Sequence, residues 1–254
     1  MCAIIGWAGL LPKGFLTSAL IAAQIRGRDA TGIAYRSKDG PDGKARTLVV
    51  KRAVNADSFV HANKDTIKAA RGSARGIAHV RRASPGMVKD DANAHPFIEG
   101  KYIYCHNGGI ANWRDVCKAR GVTVSTDSML IGPCLESLDF SDLRGSMAIA
   151  WMFRNELRVV RHNKELTAAT FSYVPTEGEP SRVTVVASTS AIIGAALDRV
   201  DENVDVLDLN WHDLAENLVY SVTESGVHAL EDEAKFNSAA GDAALDKFTS
   251  GEQR

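Results

Sequence analysis

Cysteine is scarce in this chain, and the few thiols are not paired. The 254 residues include only four cysteines, and no two of them have the C-x-x-C spacing of a zinc or redox motif; they are Cys2, Cys105, Cys117 and Cys134. So few thiols in a chain of this length do not form the disulfide framework that is typical of small secreted domains. We therefore expect reduced cysteines.

Long apolar runs and an excess of one charge are also missing. The longest apolar stretches, such as AIIGWAGLLP and SALIAAQI, are about half as long as a membrane-spanning helix requires, and no basic segment precedes the first one as in a signal peptide. Lysine and arginine number 30 against 31 aspartate and glutamate residues. This balance gives no reason to expect a nucleic acid or an anionic membrane as a partner. We expect a cytosolic protein.

Phosphate-binding signatures are absent as well. The sequence has no G-x-x-x-x-G-K-[ST] motif and no G-x-G-x-x-G motif after an apolar run. It also has no internal repeat of the length found in solenoid proteins. We expect neither nucleotide chemistry nor any cofactor.

The patterns that are present predict one α+β domain. The first half alternates short strands with helices, including helices over LTSALIAAQI, over residues from about 57 to 70, and over DSMLIGPCLESL. From Gly145 onward, GSMAIAWMF, ELRVVRHN, TAATFSY and RVTVVAS predict an antiparallel sheet. We predict two packed sheets covered by helices, with a domain over residues 1–230 and a polar tail over residues 231–254.

The opening MCAIIGWAG places a cysteine directly after the first methionine. Cys2 is either a small apolar residue that begins a buried strand or, once Met1 is removed, a residue with both a thiol and a free α-amine. An N-terminal amine has a pKa of about 8 and can act as the general base for a nucleophile on the same residue. The position alone leaves both interpretations open.

Two residues that follow the apolar run KYIYC offer the donors that an amide hydrolase needs. Asn107 has a side-chain amide and Gly108 an unhindered backbone N–H, and these two kinds of donor can stabilise an oxyanion. The alternative is that Asn-Gly forms an ordinary turn.

For the charged residues near other strand ends, both a role in substrate binding and an ordinary structural role are open. Arg81 follows GIAHV and is suited to hold a substrate carboxylate, or it forms a surface salt bridge, as Arg82 is expected to do. Asp127 is suited to accept hydrogen bonds from a substrate ammonium group, or it caps a helix. Arg26 and Asp29 either shape the loop over the nucleophile or form an ion pair within that loop.

Three histidines lie in these polar clusters, close in sequence to Cys105. His79, His95 and His106 do not have the spacing of a zinc site. We expect no metal, and we expect the histidines to hydrogen-bond loop backbone instead.

Taken in order, MCAIIGWAG, RGRDATG, HVRRASPG, NAHP, HNG and TDS resemble the glutaminase domain of class II glutamine amidotransferases, which are N-terminal nucleophile hydrolases. GSMAIAWM and VVASTSAIIGAAL resemble that family's later core strands and the helix after them. The resemblance implies a four-layer αββα sandwich of two mainly antiparallel sheets. It also implies hydrolysis of the side-chain amide of L-glutamine to glutamate and ammonia.

The resemblance implies a role for each matching residue. Cys2 corresponds to the nucleophile, with its own α-amine as the base, and Asn107 and Gly108 correspond to the oxyanion hole. Arg81 corresponds to the ligand of the glutamine α-carboxylate, and Asp127 corresponds to the ligand of its α-ammonium group.

Two further matches concern the surroundings of the nucleophile. Arg26 corresponds to an arginine that helps to form them, and Ser84 stands where a threonine often lines the substrate pocket. Departures occur at Ala3, Arg82 and Pro85, where the family usually has glycine, tryptophan and histidine. These departures bear on the path of the first strand and on the loop that closes over glutamine.

The resemblance also implies a partner, because family members use the released ammonia in a synthase, synthetase or transferase reaction. No sugar-isomerase, phosphoribosyl or ATP-pyrophosphatase signature follows the last motif. We expect a separate ammonia-accepting enzyme, and homo-oligomerisation stays open. Two rival functions stay open as well: an N-terminal nucleophile hydrolase acting on another amide, and a catalytically silent scaffold or regulatory subunit with the same fold.

Overall fold

The computed structural model describes residues 1–37, 45–83, 90–174, 179–200 and 205–237. Most of the described strands form two sheets. The larger sheet has seven strands in the spatial order β12 (Asp205–Asp213), β10 (Thr167–Val174), β11 (Ser181–Ala187), β1 (Ala3–Ala8), β4 (Arg75–Arg81), β2 (Ala30–Ser37) and β3 (Arg46–Arg52). All of its strand pairs are antiparallel.

The second sheet has six strands, which are also paired antiparallel. Their spatial order is β14 (Gly226–Glu233), β13 (Leu218–Thr223), β9 (Glu156–His162), β8 (Gly145–Phe153), β6 (Tyr102–Ile110) and β5 (Phe97–Glu99). A short parallel pair, β7 (Asp139–Phe140) and β15 (Lys235–Phe236), lies beside it.

Helices cover the outer faces of the two sheets. The helices are α1 (Phe15–Ala23), α2 (Ala56–Ala62), α3 (Lys64–Arg71), α4 (Trp113–Arg120) and α5 (Ser190–Leu197). Buried side chains of α1, α2, α3 and α5 share one apolar cluster with the larger sheet, and α4 contributes to a second cluster on the outer face of the smaller sheet. A third cluster fills the space between the sheets. The expected α+β sandwich with αββα layering is confirmed.

Strand β1 is apolar along its whole length because both of its faces are buried. Ala3, Ile5 and Trp7 face the helices, whereas Ile4 and Ala8 face the second sheet. Adjacent residues of a strand point to opposite faces of the sheet. A continuous apolar run is therefore the pattern that a central strand of this sandwich requires.

The helix expected from about residue 57 to 70 is two helices instead. It breaks at Asn63, whose backbone leaves the helical region with φ −124° and ψ 39°. The Asn63 side-chain amide donates to the Phe59 carbonyl at 2.8 Å. The backbone N–H of Asn63 donates to the same carbonyl at 3.0 Å, so the side chain adds a second hydrogen bond at the end of α2.

The helix expected over DSMLIGPCLESL is also wrong. The segment forms two 3₁₀ turns, Asp127–Leu130 and Gly132–Cys134. Pro133 has no N–H for an α-helical hydrogen bond, and Gly132 lies so close to Glu99 that a β-carbon there would meet its side chain. The tight packing against β5 and the missing donor favour short turns.

The domain boundary predicted at residue 231 falls inside strand β14. That strand continues to Glu233, and Lys235 and Phe236 pair with β7. Residues 238–254 lie outside the described residues, so the tail stays a prediction for them.

Gly76 provides a test of packing between β4 and β1. A methyl group at this position would overlap the ring of Trp7. We expect Gly76→Ala to lower the free energy of unfolding by about 1–3 kcal/mol, because overpacking forces side chains or backbone to shift. Urea unfolding of the purified protein measures this change.

Gly194 in α5 provides the matched control, because a β-carbon there has no neighbour within 4 Å. Gly194→Ala should leave the free energy of unfolding unchanged or raise it by up to about 1 kcal/mol, since alanine is the better helix former. Equal losses in the two variants would contradict this account of the β1–β4 packing.

Candidate active site

The pairing of β1 with β4 brings Cys2 beside Arg81. Ala3 lies opposite Val80 and Ile4 opposite His79, so the next residue of each strand continues the same register. Cys2 and Ile4 are on one face of their strand, as are Arg81, His79 and Ile77 on theirs, and Ile4 and Ile77 belong to the cluster between the sheets. Both Cys2 and Arg81 therefore lie at one end of the space between the sheets.

Strand β6 of the second sheet supplies Asn107 to the same space. Asn107 is two residues beyond Cys105, which is part of the cluster between the sheets, and it is 1% exposed. Its Nδ2 lies 3.1 Å from the hydroxyl oxygen of Ser188, which also accepts the backbone N–H of Ile4 at 2.9 Å. A single hydroxyl thus joins the Asn107 amide to strand β1, which directly follows the nucleophile candidate.

Gly108 extends the site along the same strand. Its φ of 157° and its close approach to the Ser146 carbonyl leave no room for a β-carbon. The position where that carbon would lie is 2.8 Å from Nε2 of His106. Asn107 and Gly108 are part of a continuous strand paired with β8, so the alternative of an ordinary Asn-Gly turn is wrong.

Asp127 is held against β6 by hydrogen bonds from backbone. Its Oδ2 accepts the N–H of Ile110 at 2.9 Å and its Oδ1 accepts the N–H of Ser128 at the same distance. Ser128 in turn lies 2.9 Å from Nδ1 of His106. Thr126 occupies the N-cap position of this 3₁₀ turn, and Asp127 is the first residue of the turn. The alternative that Asp127 is the N-cap residue is therefore wrong.

Arg26 contacts the backbone of the nucleophile candidate. Its Nε donates to the Cys2 carbonyl at 2.9 Å, and its guanidinium lies 3.8 Å from a carboxylate oxygen of Glu165. Asp29 accepts the N–H of Ala83 at 2.8 Å, which ties the loop after α1 to the end of β4. Ser84 lies outside the described residues.

The Cys2 sulfur is partly buried and lies against the backbone of Arg82, whose N–H donates to it at 3.4 Å. Burial raises the pKa of the Cys2 thiol, while this hydrogen bond, the α-amine of Met1 and the charge of Arg81 act against the rise. The negative charge of Asp127 adds to it. The thiol is thus electrostatically coupled to both charged residues that were predicted to hold a substrate. The side chain of Arg82 itself is exposed.

The α-amine of Met1 lies beside several positive charges. Burial lowers the pKa of this amine, the Cys2 thiol raises it, and the positive charges of Arg82, Arg26 and Lys164 lower it further.

Three histidines are packed beneath the site. The rings of His79 and His95 are 4.0 Å apart, and Nε2 of His79 lies 3.0 Å from the His106 carbonyl, which belongs to strand β6 and not to a loop. Neither ring nitrogen of His95 has a hydrogen-bond partner among the described residues, so the expected contacts of the histidines with loop backbone are wrong for these two rings. Burial is the main cause that lowers the pKa of each ring, to about 3 for His79 and well below the ordinary value for His95. Among the described residues, no group of histidine, cysteine and carboxylate side chains is arranged to hold a metal ion.

Sequence reasoning missed Ser188, Lys164 and Glu165 as neighbours of the site. Ser188 lies within VVASTSAIIGAAL, a segment that the sequence analysis singled out for its fold and not for a polar contact. Lys164 and Glu165 belong to a loop without any motif. Ser188 and Glu165 also line a cleft of about 380 Å³ next to the site, together with Arg161, Thr189 and Asp213.

Comparison with known proteins relates this geometry to a family. No protein-family model matches the chain. The glutamine–fructose-6-phosphate aminotransferase [isomerizing] of Vibrio cholerae is 29% identical over 200 residues, which are 76% of this chain and 30% of that protein. The enzyme of the same name from Pyrococcus horikoshii is 26% identical over 257 residues, covering 91% of this chain and 40% of the relative. The chain thus spans less than half the length of these curated relatives.

Solved structures share the fold. Glutamine phosphoribosylpyrophosphate amidotransferase from B. subtilis superposes with a TM-score of 0.58 over 90% of this chain and 49% of that one, at 15% identity. The allosteric regulatory enzyme of purine biosynthesis gives a TM-score of 0.60 over 90% of this chain and 48% of that one, at 16% identity. The chain thus shares the fold of these two amidotransferases. In sequence it is similar to glutamine-dependent aminotransferases over most of its length.

In the part of the chain that the structure describes, no helix has the length and apolar character needed to cross a membrane.

The buried histidines predict loss of stability in acid. The pKa of His79 is about 3 in the folded protein and 6.5 without its surroundings, so below pH 6.5 the unfolded chain binds a proton that the folded protein excludes. The free energy of unfolding should therefore fall with decreasing pH by about 1.4 kcal/mol per pH unit for this group alone. Denaturant unfolding at pH 7.5 and pH 5 measures the difference.

His79→Gln keeps an N–H donor toward the His106 carbonyl but cannot gain a charge, so we expect it to reduce the loss between these two pH values. His61→Gln, which changes an exposed ring on α2, is the matched control and should leave the loss unchanged. If the free energy of unfolding depended on pH equally in wild type and His79→Gln, the loss of stability in acid could not be due to His79.

Proposed function

We propose that this domain hydrolyses the side-chain amide of L-glutamine to glutamate and ammonia, with Cys2 as the nucleophile. The observation that carries the proposal is that Cys2, Arg81 and Asn107 share one end of the space between the sheets, through the β1–β4 register and the inward face of β6. A nucleophile, a carboxylate ligand and an oxyanion donor thereby face one volume. Hydrolysis of an amino acid amide needs these three kinds of group together.

The proposed reaction begins after removal of Met1. The free α-amine of Cys2 takes the thiol proton, and the thiolate attacks the amide carbon of glutamine. The Asn107 side chain and the Gly108 N–H stabilise the oxyanion, the amine returns the proton to the departing nitrogen, and ammonia leaves. Water then cleaves the thioester, which releases glutamate and restores the thiol.

Arg81 and Asp127 are the proposed ligands of the glutamine head group. The guanidinium of Arg81 is suited to a carboxylate, since it offers parallel N–H donors. Asp127 accepts backbone N–H groups from one side, and a carboxylate has further lone pairs for an ammonium group. Arg26 holds the Cys2 carbonyl and so fixes the backbone of the nucleophile. Ser84 stays proposed as a residue of the substrate pocket on the resemblance alone.

The ammonia is proposed to pass to an acceptor enzyme or domain that lies outside the described residues of this chain. The Vibrio and Pyrococcus relatives are named for transfer from glutamine to fructose 6-phosphate. Here, the strands and helices up to residue 237 build the sandwich itself. Acceptor chemistry is therefore proposed to reside in another domain or protein.

Replacing the nucleophile tests the proposal directly. Cys2→Ala should abolish glutamate release from glutamine, because alanine cannot form the thioester. Asn107→Ala should reduce kcat by about 10²- to 10³-fold, the usual cost of losing one oxyanion donor. Coupled assays of glutamate and ammonia give both rates, and Cys117→Ala on α4 is the matched cysteine control with wild-type activity. Full activity of Cys2→Ala would falsify the proposed function.

The carboxylate ligand is tested by changing enzyme and substrate together. Arg81→Gln should raise KM for glutamine, and so should replacing the α-carboxylate of the substrate by a neutral amide. If the two groups bind each other, the second change costs little once the first is made. Arg82→Gln, at the neighbouring exposed arginine, should retain the KM of the wild type. Fully additive losses would argue against contact between Arg81 and the carboxylate.

A further inference from the structure

Ser188 connects the two sheets at the proposed oxyanion site. It directly follows β11, is completely buried, and pairs with Ile4 through its backbone N–H, which donates to the Ile4 carbonyl at 3.1 Å. Its hydroxyl oxygen has two hydrogen-bond neighbours in the described part of the chain: the Ile4 N–H at 2.9 Å and the side-chain amide of Asn107 at 3.1 Å. No other step in the proposed reaction uses this residue.

With Nδ2 as the donor, the contact leaves two hydrogen-bonding groups unmatched. If Asn107 donates through Nδ2, the Ser188 oxygen accepts two hydrogen bonds, one from Asn107 and one from the Ile4 N–H. Both neighbours of the hydroxyl are then donors, so its own hydrogen has no acceptor among the described residues. Asn107 Oδ1 is then buried without a hydrogen-bond partner among the described residues. An unpaired buried acceptor is costly, and so is a buried hydroxyl without an acceptor.

A half-turn of the Asn107 amide gives the Ser188 hydroxyl an acceptor and gives Oδ1 a donor, without moving any other atom. The turn exchanges Oδ1 and Nδ2, which occupy nearly equivalent positions. Oδ1 then accepts the Ser188 O–H, while the Ser188 oxygen still accepts the Ile4 N–H. The Nδ2 group takes the place of the unpaired oxygen, so the atom of this amide without a partner among the described residues becomes a donor and not an acceptor.

We propose that Ser188 is a positioning residue that sets the orientation of the Asn107 amide. Because the backbone N–H of Ile4 is always a donor, it occupies a lone pair of the Ser188 hydroxyl and favours donation by that hydroxyl toward Asn107. The amide then directs its N–H groups away from Ser188. The inference rests on the proposed function, in which Asn107 must present nitrogen, and not oxygen, to the developing oxyanion.

The consequence is specific to the transition state. Without the hydroxyl, no other described residue hydrogen-bonds the Asn107 amide, and the orientation that presents oxygen becomes populated. That orientation repels an oxyanion but does not touch the α-carboxylate or α-ammonium group of glutamine. An interaction made only in the transition state changes kcat, whereas uniform binding changes KM.

The kinetic test uses Ser188→Ala in the full chain. We expect kcat for glutamine to fall about 10- to 100-fold, less than the loss expected for removing an oxyanion donor altogether, with KM changed less than about two-fold. In an Asn107→Ala background, the same substitution should cause no further loss. A purely structural role would instead lower activity in both backgrounds, and that result would overturn the proposal.

Ser73→Ala is the matched control, because Ser73 is also buried and its hydroxyl donates to the Ala70 carbonyl at 2.7 Å. It lies beside Trp7, near the other end of β1 from Cys2, and its loss should leave kcat unchanged.

Neutron diffraction from deuterated wild-type crystals tests the orientation without any assay. The expected result is a deuteron on Ser188 Oγ directed at Asn107 Oδ1, with both Nδ2 deuterons directed elsewhere. A deuteron from Nδ2 directed at Ser188 Oγ would overturn the inference even if Ser188→Ala failed to fold. If wild type released no glutamate from glutamine, the proposed function would fail while the neutron result still decided the orientation of the amide.

Discussion

The antiparallel register between β1 and β4 is the constraint on which the site depends. Ile4 opposite His79 makes Cys2 the neighbour of Arg81, and both residues point between the sheets. A slip of one residue would turn Cys2 toward the helices, because neighbouring residues alternate between the faces of a sheet. Burial on both faces prevents such a slip, since Trp7 fits against Gly76 on the helix side while Ile4 is buried on the other.

The polar groups at this end of the sandwich lie where an apolar core would otherwise continue. Asn107, His79 and His106 are buried, and each has a polar side-chain atom without a hydrogen-bond partner among the described residues. A buried polar atom without a partner destabilises the fold, and such atoms are usually found where a function requires them. The second sheet thus contributes the amide and the glycine backbone, the first contributes the thiol and the guanidinium, and sheet packing brings the two sets together.

The strands and the site candidates were largely predictable from the sequence, because both depend on local patterns. The apolar run of β1, the polar residues near the ends of β4 and β6, and the order of the motifs predicted the two-sheet fold and the family that the chain resembles. Other features depend on tertiary contacts that no local pattern encodes. The break at Asn63 is a change of backbone conformation at a single residue, and the 3₁₀ turns after Asp127 require the packing against β5.

The role of Ser188 in the site could not be predicted from local sequence patterns either. Its segment was recognised as a strand followed by a helix, and both are present. Its hydroxyl is important only because β11 lies beside β1 and because β6 of the other sheet approaches both. A contact between residues 81 positions apart depends on how the sheets pack.

The central claim is that the residue at position 2 becomes an N-terminal nucleophile facing a glutamine site. Mass spectrometry of the purified protein after treatment with a diazo-ketone analogue of glutamine tests it most directly. The account predicts a chain that lacks Met1 and carries one adduct on Cys2, with glutamine protecting against labelling. A chain that retains Met1, or an adduct on Cys105, Cys117 or Cys134 instead, would contradict it.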